Sequence, residues 1–335
     1  MKKYVVWMQT TIVICALFLV SCSKDNDDVP VVKNYFPSWN KCEALAVLQS
    51  YVEDVTNPES PNFISVEDRI ATFDMDGTFV GELYPTYFEY NLLEYRALDD
   101  ESYKDKAPDD VKQAAQNIRD FVRNGTALPA HFDMVHAYAA LPANGFKGMT
   151  YGQAIYKPMV EVFEYLKAHD FTYYVVSGSD RFICRALAES IGIPANRVIG
   201  MDVKLASNKQ GLEAGVDYTL GKDEHLVRTS ELIIKNLKTN KVLQISQEIG
   251  KVPVLSFGNS SGDCAMHNYC LSNSKHRTAA FMLVADDDQR DHANLTEAAK
   301  REAKWRESGY YVISMKNDFR TIYGNGVEKT DFHFE

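Results

Sequence analysis

Two aspartates two residues apart stand in the run Asp74-Met75-Asp76-Gly77-Thr78. A carboxylate can attack phosphorus and form a covalent acyl-phosphate. A second carboxyl beside it can protonate the leaving oxygen, then take a proton from the attacking water. Gly77 lets the chain turn sharply there, and Thr78 can hydrogen-bond locally and fix the orientation of the first carboxylate. The competing account is a solvated turn, since Asp-Gly is a common turn pair. Chance gives the pattern in roughly one chain of this length in a few hundred, before a preceding strand is required.

Two more polar clusters share that setting. Thr172-Tyr173-Tyr174-Val175-Val176 is β-rich and runs into Ser177-Gly178-Ser179. Val252 to Phe257 reads as a strand and runs into Gly258-Asn259-Ser260-Ser261-Gly262-Asp263. The first pair of acids likewise follows a short apolar run, Arg69 to Phe73. Helical spacing is expected from Trp39 to Val55, Pro158 to His169, Arg181 to Ile191 and Lys241 to Ile249. Further strands are expected at Arg197 to Gly200, Ala279 to Val284 and Tyr310 to Met315, with a polar helix between the last two. Strands alternating with helices predict an α/β fold, a doubly wound, mainly parallel and Rossmann-like sheet. Such sheets put chemistry at the carboxyl ends of their strands, where all three clusters fall.

The chain has 335 residues, 36 Lys and Arg against 46 Asp and Glu, and a net charge of −10. That balance argues against broad capture of nucleic acid, which needs a basic face. Lys2 and Lys3 precede an apolar run from Ile12 to Val20, followed by Ser21 and Cys22. A basic start, a short apolar core and a small residue before the cut read as a secretory signal, residues 1–21. Leu19-Val20-Ser21-Cys22 resembles the lipobox of bacterial lipoproteins. On that resemblance Cys22 carries the acyl groups and anchors the chain to a membrane, the outer membrane of a Gram-negative-type envelope being the expected address. Residues 22–37 are expected to be a tether. Cys42, Cys184, Cys264 and Cys270 show no paired spacing, so no zinc site is supported. His131, His136, His169 and His225 also lack metal-ligand spacing.

Asp74 to Thr78 resembles the first motif of the haloacid dehalogenase (HAD) superfamily, and the remaining motifs follow in order. Ser177 resembles the second, a hydroxyl that contacts the transferred phosphoryl group, with Gly178 leaving backbone N–H groups open to phosphate oxygens. Lys241 matches the third, a cation that offsets phosphate charge; Lys238 and Lys251 compete with it. Asn259 and Asp263 match the fourth, which completes a metal site. The resemblance covers residues 65 to 320 and is strongest to exported members of the phosphoserine-phosphatase-like branch, with GNSxGD as the fourth motif. It implies Mg²⁺ held by Asp74, Asp76 (through its backbone carbonyl), Asn259 and Asp263, and catalysis by Asp74, Asp76, Ser177 and Lys241. Many relatives carry Asp where this chain has Asn259, a neutral oxygen donor that implies weaker metal affinity.

The resemblance also implies a domain plan. Residues 38–79 and 161–335 form the HAD-like core, and a helical cap over 80–160 lies between the first two motifs. Glu82 sits where relatives often have an acidic substrate contact. The cap is rich in aromatics: Tyr84, Tyr87, Phe88, Tyr90, Tyr138, Tyr151 and Tyr156. Core packing explains them more simply than a cage for a quaternary ammonium group. Asp286-Asp287-Asp288 is expected to be a solvated loop. The implied activity is Mg²⁺-dependent hydrolysis of a small phosphomonoester through an aspartyl-phosphate. The alternatives are a binding protein that captures a phosphorylated ligand without turnover, and a phosphotransferase.

Overall fold

A computed structural model of the chain describes residues 33–82, 88–124 and 138–333. The expected signal, Cys22 and the tether up to residue 32 lie outside the described residues, as do Tyr84, Tyr87, His131 and His136. The apolar run Ile70–Phe73 forms β1, buried along its whole length. It pairs in parallel with β3 (Thr172–Asp180) on one side and β6 (Leu255–Gly258) on the other. Strand β4 (Val198–Ser207) extends the sheet beyond β3; β7 (Ala279–Val284) and β8 (Tyr311–Ser314) extend it beyond β6. All these neighbours are parallel. With β5 (Leu226–Ile234) at one edge, the order is β5-β4-β3-β1-β6-β7-β8, so the chain reverses direction across the sheet beside β1. A crevice at strand carboxyl ends is expected at such a reversal. This is the doubly wound, mainly parallel α/β architecture expected from the alternation of elements.

Helices cover both faces, which is why the central strands are continuous apolar runs. Helix α1 (Glu43–Thr56) buries Leu45, Leu48, Tyr51, Val52 and Val55, the helical stripe read from the sequence. Helices α2 (Phe88–Leu98) and α3 (Asp109–Asn124) follow β1. Helix α4 (Lys157–Ala168) starts with Pro158 in its first turn, where a missing N–H costs nothing, and α5 (Arg181–Glu189) follows β3. Phe73, Phe257 and Phe281 occupy matched positions on three adjacent strands and stack at 4.3 and 4.9 Å. Phe163 of α4 meets Phe73 at 4.3 Å. Each such aromatic pair adds about 1 kcal/mol beyond its buried area. The ladder makes the floor under the strand ends rigid.

Several boundaries differ from expectation. The tether was expected to reach residue 37, but Phe36 is buried against Tyr165 and Trp39. The backbone N–H of Ser38 donates to Glu161. Two aromatic side chains therefore fasten the chain to the core from Tyr35 onward. The helical cap expected over 80–160 also divides. Leu93 and Ala97 of α2 pack with Ala115 and Ile118 of α3 and with Ala107 in a small separate cluster. Tyr138, Ala143, Phe146, Met149 and Tyr156 join the main core instead. Strand β2 (Phe146–Lys147) pairs antiparallel with β9 (Glu328–Lys329), which ties this segment to the chain end. Strand β5 (Leu226–Ile234) returns antiparallel to β4, an element with no counterpart in the expected strands. The cap aromatics are used in packing: Tyr138 stacks on Tyr151 at 4.4 Å, and Phe88 meets Tyr138 edge-on at 5.1 Å.

The Asp286 to Asp288 run is not a solvated loop. Asp287 is buried, caps the N–H groups of Gln289 and Arg290, and pairs with the Arg290 guanidinium. Asp286 accepts from the Ser314 hydroxyl and the Lys316 N–H. Cys42, Cys184, Cys264 and Cys270 are all free thiols.

Candidate active site

At the end of β1 the ladder continues one residue further, with the Asp74 N–H donating to the Phe257 carbonyl at 2.9 Å. The chain then curls tightly. The N–H groups of Thr78, Phe79 and Val80 all point to the Met75 carbonyl at 3.1 Å, and Gly77 N–H donates to Val80 O at 2.7 Å. Met75, Phe79 and Val80 are buried and hold the curl in place. Gly77 has φ +77°, a conformation that other residues adopt only with strain. The curl leaves Asp74 buried and Asp76 partly buried at the strand end. Thr78 donates its hydroxyl to Asp74 Oδ2 at 3.3 Å.

Helix α6 (Thr239–Glu248) supplies the cation. Lys241 is only 1% exposed. Its Nζ lies 2.5 Å from Asp74 Oδ1 and 2.6 Å from Asp263 Oδ1. The two competitors lie elsewhere: Lys251 pairs with Asp68 at 2.7 Å, and Lys238 is the exposed residue before α6. Asp263 precedes helix α7 (Cys264–Leu271). Its second oxygen accepts from the N–H groups of Asn259 and Ser260 and from the Ser260 hydroxyl, at 3.0 to 3.1 Å.

These contacts divide the charge. Burial opposes ionisation of Asp263, but the Lys241 ammonium and the hydrogen bonds outweigh it and hold that carboxyl below its ordinary range. Burial, followed by the Asp263 charge, raises the Asp74 carboxyl above its ordinary range, and the Lys241 ammonium opposes that rise. Burial works against the Lys241 charge as well, yet the two carboxylates raise its proton affinity overall. Burial lifts Asp76 to about 6, and the Ser179 hydroxyl opposes that rise.

The end of β3 closes the other side. Ser177 is buried, with its Oγ 3.5 Å from Asp76 Oδ2 and accepting the Ser179 N–H at 3.0 Å. Ser179 donates its hydroxyl to the same Asp76 oxygen at 2.7 Å. A Cβ added to Gly178 would lie 2.4 Å from Leu237 Cδ2, so a larger residue there would displace the tip of that leucine. Asn236, fully buried, donates to the Ser177 carbonyl at 2.9 Å and supports the turn from behind. Sequence reasoning missed Ser179 and Asn236. Ser179 had a legible signal, since residues two apart on a strand face the same way as Ser177.

At the end of β6, Asn259 is buried and donates its amide to Glu82 Oε1 at 3.0 Å. Glu82 itself reaches the surface. The structure thus brings together Asp74, Asp76, Thr78, Glu82, Ser177, Gly178, Lys241, Asn259 and Asp263 from three strand ends and one helix. Three acids, Asp74, Asp76 and Asp263, face one ammonium group, an excess of negative charge that a cation would relieve. Among the described residues no group of three or more His, Cys, Asp or Glu side chains is arranged to hold a metal ion. Mg²⁺ asks for less, because it keeps several waters and takes one or two carboxylates with other hard oxygens. Carboxylate, amide and main-chain oxygens are the donors at this site, and their chemistry fits that ion.

No family model matches the chain. No curated protein matches it either. Among solved structures, a conserved, functionally unknown protein from Anaerococcus prevotii DSM 20548 is similar at a TM-score of 0.50 and 14% identity, over 91% of this chain and 100% of that one. This likeness concerns the fold. A protein of unknown function from Bordetella pertussis Tohama I gives 0.41 and 14%, over 73% of this chain and 97% of its own. A phosphoserine phosphohydrolase-like protein from Francisella tularensis subsp. tularensis SCHU S4 gives 0.37 and 14%, over 73% of this chain and 94% of its own. At those two scores nothing further about this chain follows.

Proposed function

We propose that the chain is a Mg²⁺-dependent phosphomonoester hydrolase that works through an aspartyl-phosphate at Asp74. The observation that carries this reading is Lys241, buried between Asp74 and Asp263 with Asp76 alongside. A nucleophile, an acid and a fixed cation are there assembled around one point.

Asp74 attacks phosphorus, and the bond from phosphorus to the leaving oxygen breaks. Asp76 gives its proton to that oxygen as the alcohol departs. Water then attacks the acyl-phosphate, Asp76 takes a proton from it, and inorganic phosphate leaves with Asp74 restored. A carboxyl lifted to about 6 suits both roles near neutral pH. Ser177 and the N–H groups around Gly178 hold phosphoryl oxygens, and Lys241 offsets the charge that grows on them in the transition state. Asp74, the Asp76 carbonyl, Asn259 and Asp263 would hold Mg²⁺, Asp263 directly or through a water. Bound there, the ion would supply positive charge to offset that of the substrate phosphate. Asp76 distinguishes this site from a dehalogenase, which needs no second acid.

We also assign the chain to the cell envelope, anchored through Cys22 and acting on a small phosphorylated metabolite outside the cytoplasm. The basic start, apolar run and Cys22 support that address. The deciding experiment measures phosphate release from a panel of phosphomonoesters with and without Mg²⁺, with acceptor alcohols in parallel. Phosphate released only with Mg²⁺ is expected. Binding without release would identify a ligand-capturing protein, and phosphorylated acceptor would identify a phosphotransferase. Labelled fatty acid should enter the wild-type chain and not Cys22→Ser.

A further inference from the structure

The amide of Asn259 donates across the strand-end curl, Nδ2 to Glu82 Oε1 at 3.0 Å. Its direction follows from charge: an ionised carboxylate only accepts, so the NH₂ end of the amide must face it. The pair crosses directly above Gly77. A Cβ at residue 77 would lie 1.8 Å from Asn259 Nδ2 and 2.8 Å from Glu82 Cδ. The absent side chain is therefore the notch in which the two residues meet. Glu82 is also delivered to that notch by a stiff segment. Gly81 N–H donates to Ala154 O at 2.7 Å, and Tyr156 N–H donates to Phe79 O at 2.8 Å. On the other side, Asn259 N–H is fixed by Asp263 Oδ2 at 3.1 Å. Both partners are thus held by their backbones, and the hydrogen bond leaves the amide a single orientation.

We infer that Glu82 is a positioning residue for the divalent cation, acting through Asn259 by holding its NH₂ group and leaving its oxygen to the metal. This rests on the proposed Mg²⁺ site. An amide has one oxygen and one NH₂ group, and only the oxygen is a ligand for a hard cation. A free amide would be turned the wrong way part of the time. Aspartate at 259 needs no such partner, because either oxygen serves, and it would repel Glu82. The asparagine and the glutamate therefore belong together in this chain. Partners of this kind, one bond removed from a metal, typically change affinity by about 10- to 100-fold.

The test is calorimetric titration of MgCl₂ into the purified full chain and its Glu82→Ala, Glu82→Gln, Asn259→Ala and double-alanine variants. Glu82→Ala should raise the Mg²⁺ Kd by about 10- to 100-fold. Glu82→Gln, whose amide oxygen still accepts, should recover most of that loss. The double variant should bind no more weakly than Asn259→Ala alone, because the effect passes through Asn259. An unchanged Kd in Glu82→Ala, or losses that multiply in the double variant, would overturn the inference. The same four variants are unfolded by denaturant without metal. Non-additive losses there support the pairing, and additive ones refute it. If the wild-type chain binds no Mg²⁺, the Mg²⁺ reading fails and with it the positioning role, whereas the metal-free cycle reports separately whether the pair forms.

Discussion

Ser179 donates its hydroxyl to Asp76 at 2.7 Å from a position 103 residues further along the chain. The bond favours the ionised carboxyl and works against the burial that lifts Asp76 to about 6. Removing it in Ser179→Ala leaves Asp76 protonated to higher pH. The first step needs Asp76 as an acid, so the falling alkaline limb of kcat/KM should move upward by about one pH unit. Steady-state rates across pH check this; an unmoved limb contradicts the assignment of Asp76.

Asp74→Asn should abolish turnover, by at least about a thousandfold, because the amide cannot serve as the nucleophile. The fold should persist. Burial raises Asp74 above its ordinary 3.8 when folded, so the folded state holds this proton more tightly than the unfolded chain does. Stability from that group is present at low pH and is lost as pH rises through the folded value. Above its ordinary value, ionising the folded carboxyl costs more than ionising the unfolded one, and Lys241 keeps Asp263 as a partner in the variant. Metal-free Asp74→Asn should therefore melt no lower than the wild type at pH near 7. Calorimetry with an activity assay reads both effects.

Lys241→Met should be the most damaging single change at the site. It leaves Asp74 and Asp263 buried and facing each other without the ammonium that both now contact. Loss of one partner from a buried ion pair costs about 3–5 kcal/mol. Denaturant unfolding of the metal-free chain should show that loss, and turnover should vanish with it. A variant as stable as the wild type would mean that the ion pair contributes nothing.

His267 predicts acid sensitivity away from the reacting groups. It is fully buried, bonded to the Ser256 hydroxyl at 2.7 Å and to the Phe281 carbonyl at 3.1 Å. Burial, the largest effect, lowers it from 6.5 to about 4. Between those values the unfolded chain takes up a proton that the folded chain refuses. Stability is thus intact above the upper value and falls as pH drops toward the lower one, by at most about 3 kcal/mol. Denaturant midpoints at pH near 7 and near 4.5 should separate more in the wild type than in His267→Gln. Equal separations would show that another group controls the acid limb.

The strands and the acids at their ends were legible because each is a local signal. Ile70 to Phe73 is an apolar run, and Asp74 to Thr78 is a spacing. Lys241 was harder to identify. Lys238 and Lys251 are near it in sequence, and only the helix geometry at Thr239–Glu248 turns one of the three inward. The Asn259–Glu82 bond joins residues 177 apart, a contact no local pattern records. Strand β5 escaped because it is a sheet edge whose Leu226, Leu232 and Ile233 stay exposed, so burial imposes no clear alternation on it. Residues 138–156 were assigned to the cap by their place in the chain, whereas Phe146 packs on Tyr323 near the opposite end of the sequence.

The two ends of the folded unit are zipped together. Trp39 stacks edge-on against Phe319 at 4.9 Å, Asn40 N–H donates to Asp318 O, and Arg320 N–H donates to Ser38 O. The Asn40 side chain reaches Asn317 across 277 positions. A chain made from its N-terminus first therefore cannot seat Trp39 against Phe319 until 280 more residues have followed (319 − 39). Until then that face of the indole remains in view of chaperones and proteases, and a chain cut short of Phe319 would leave it there permanently.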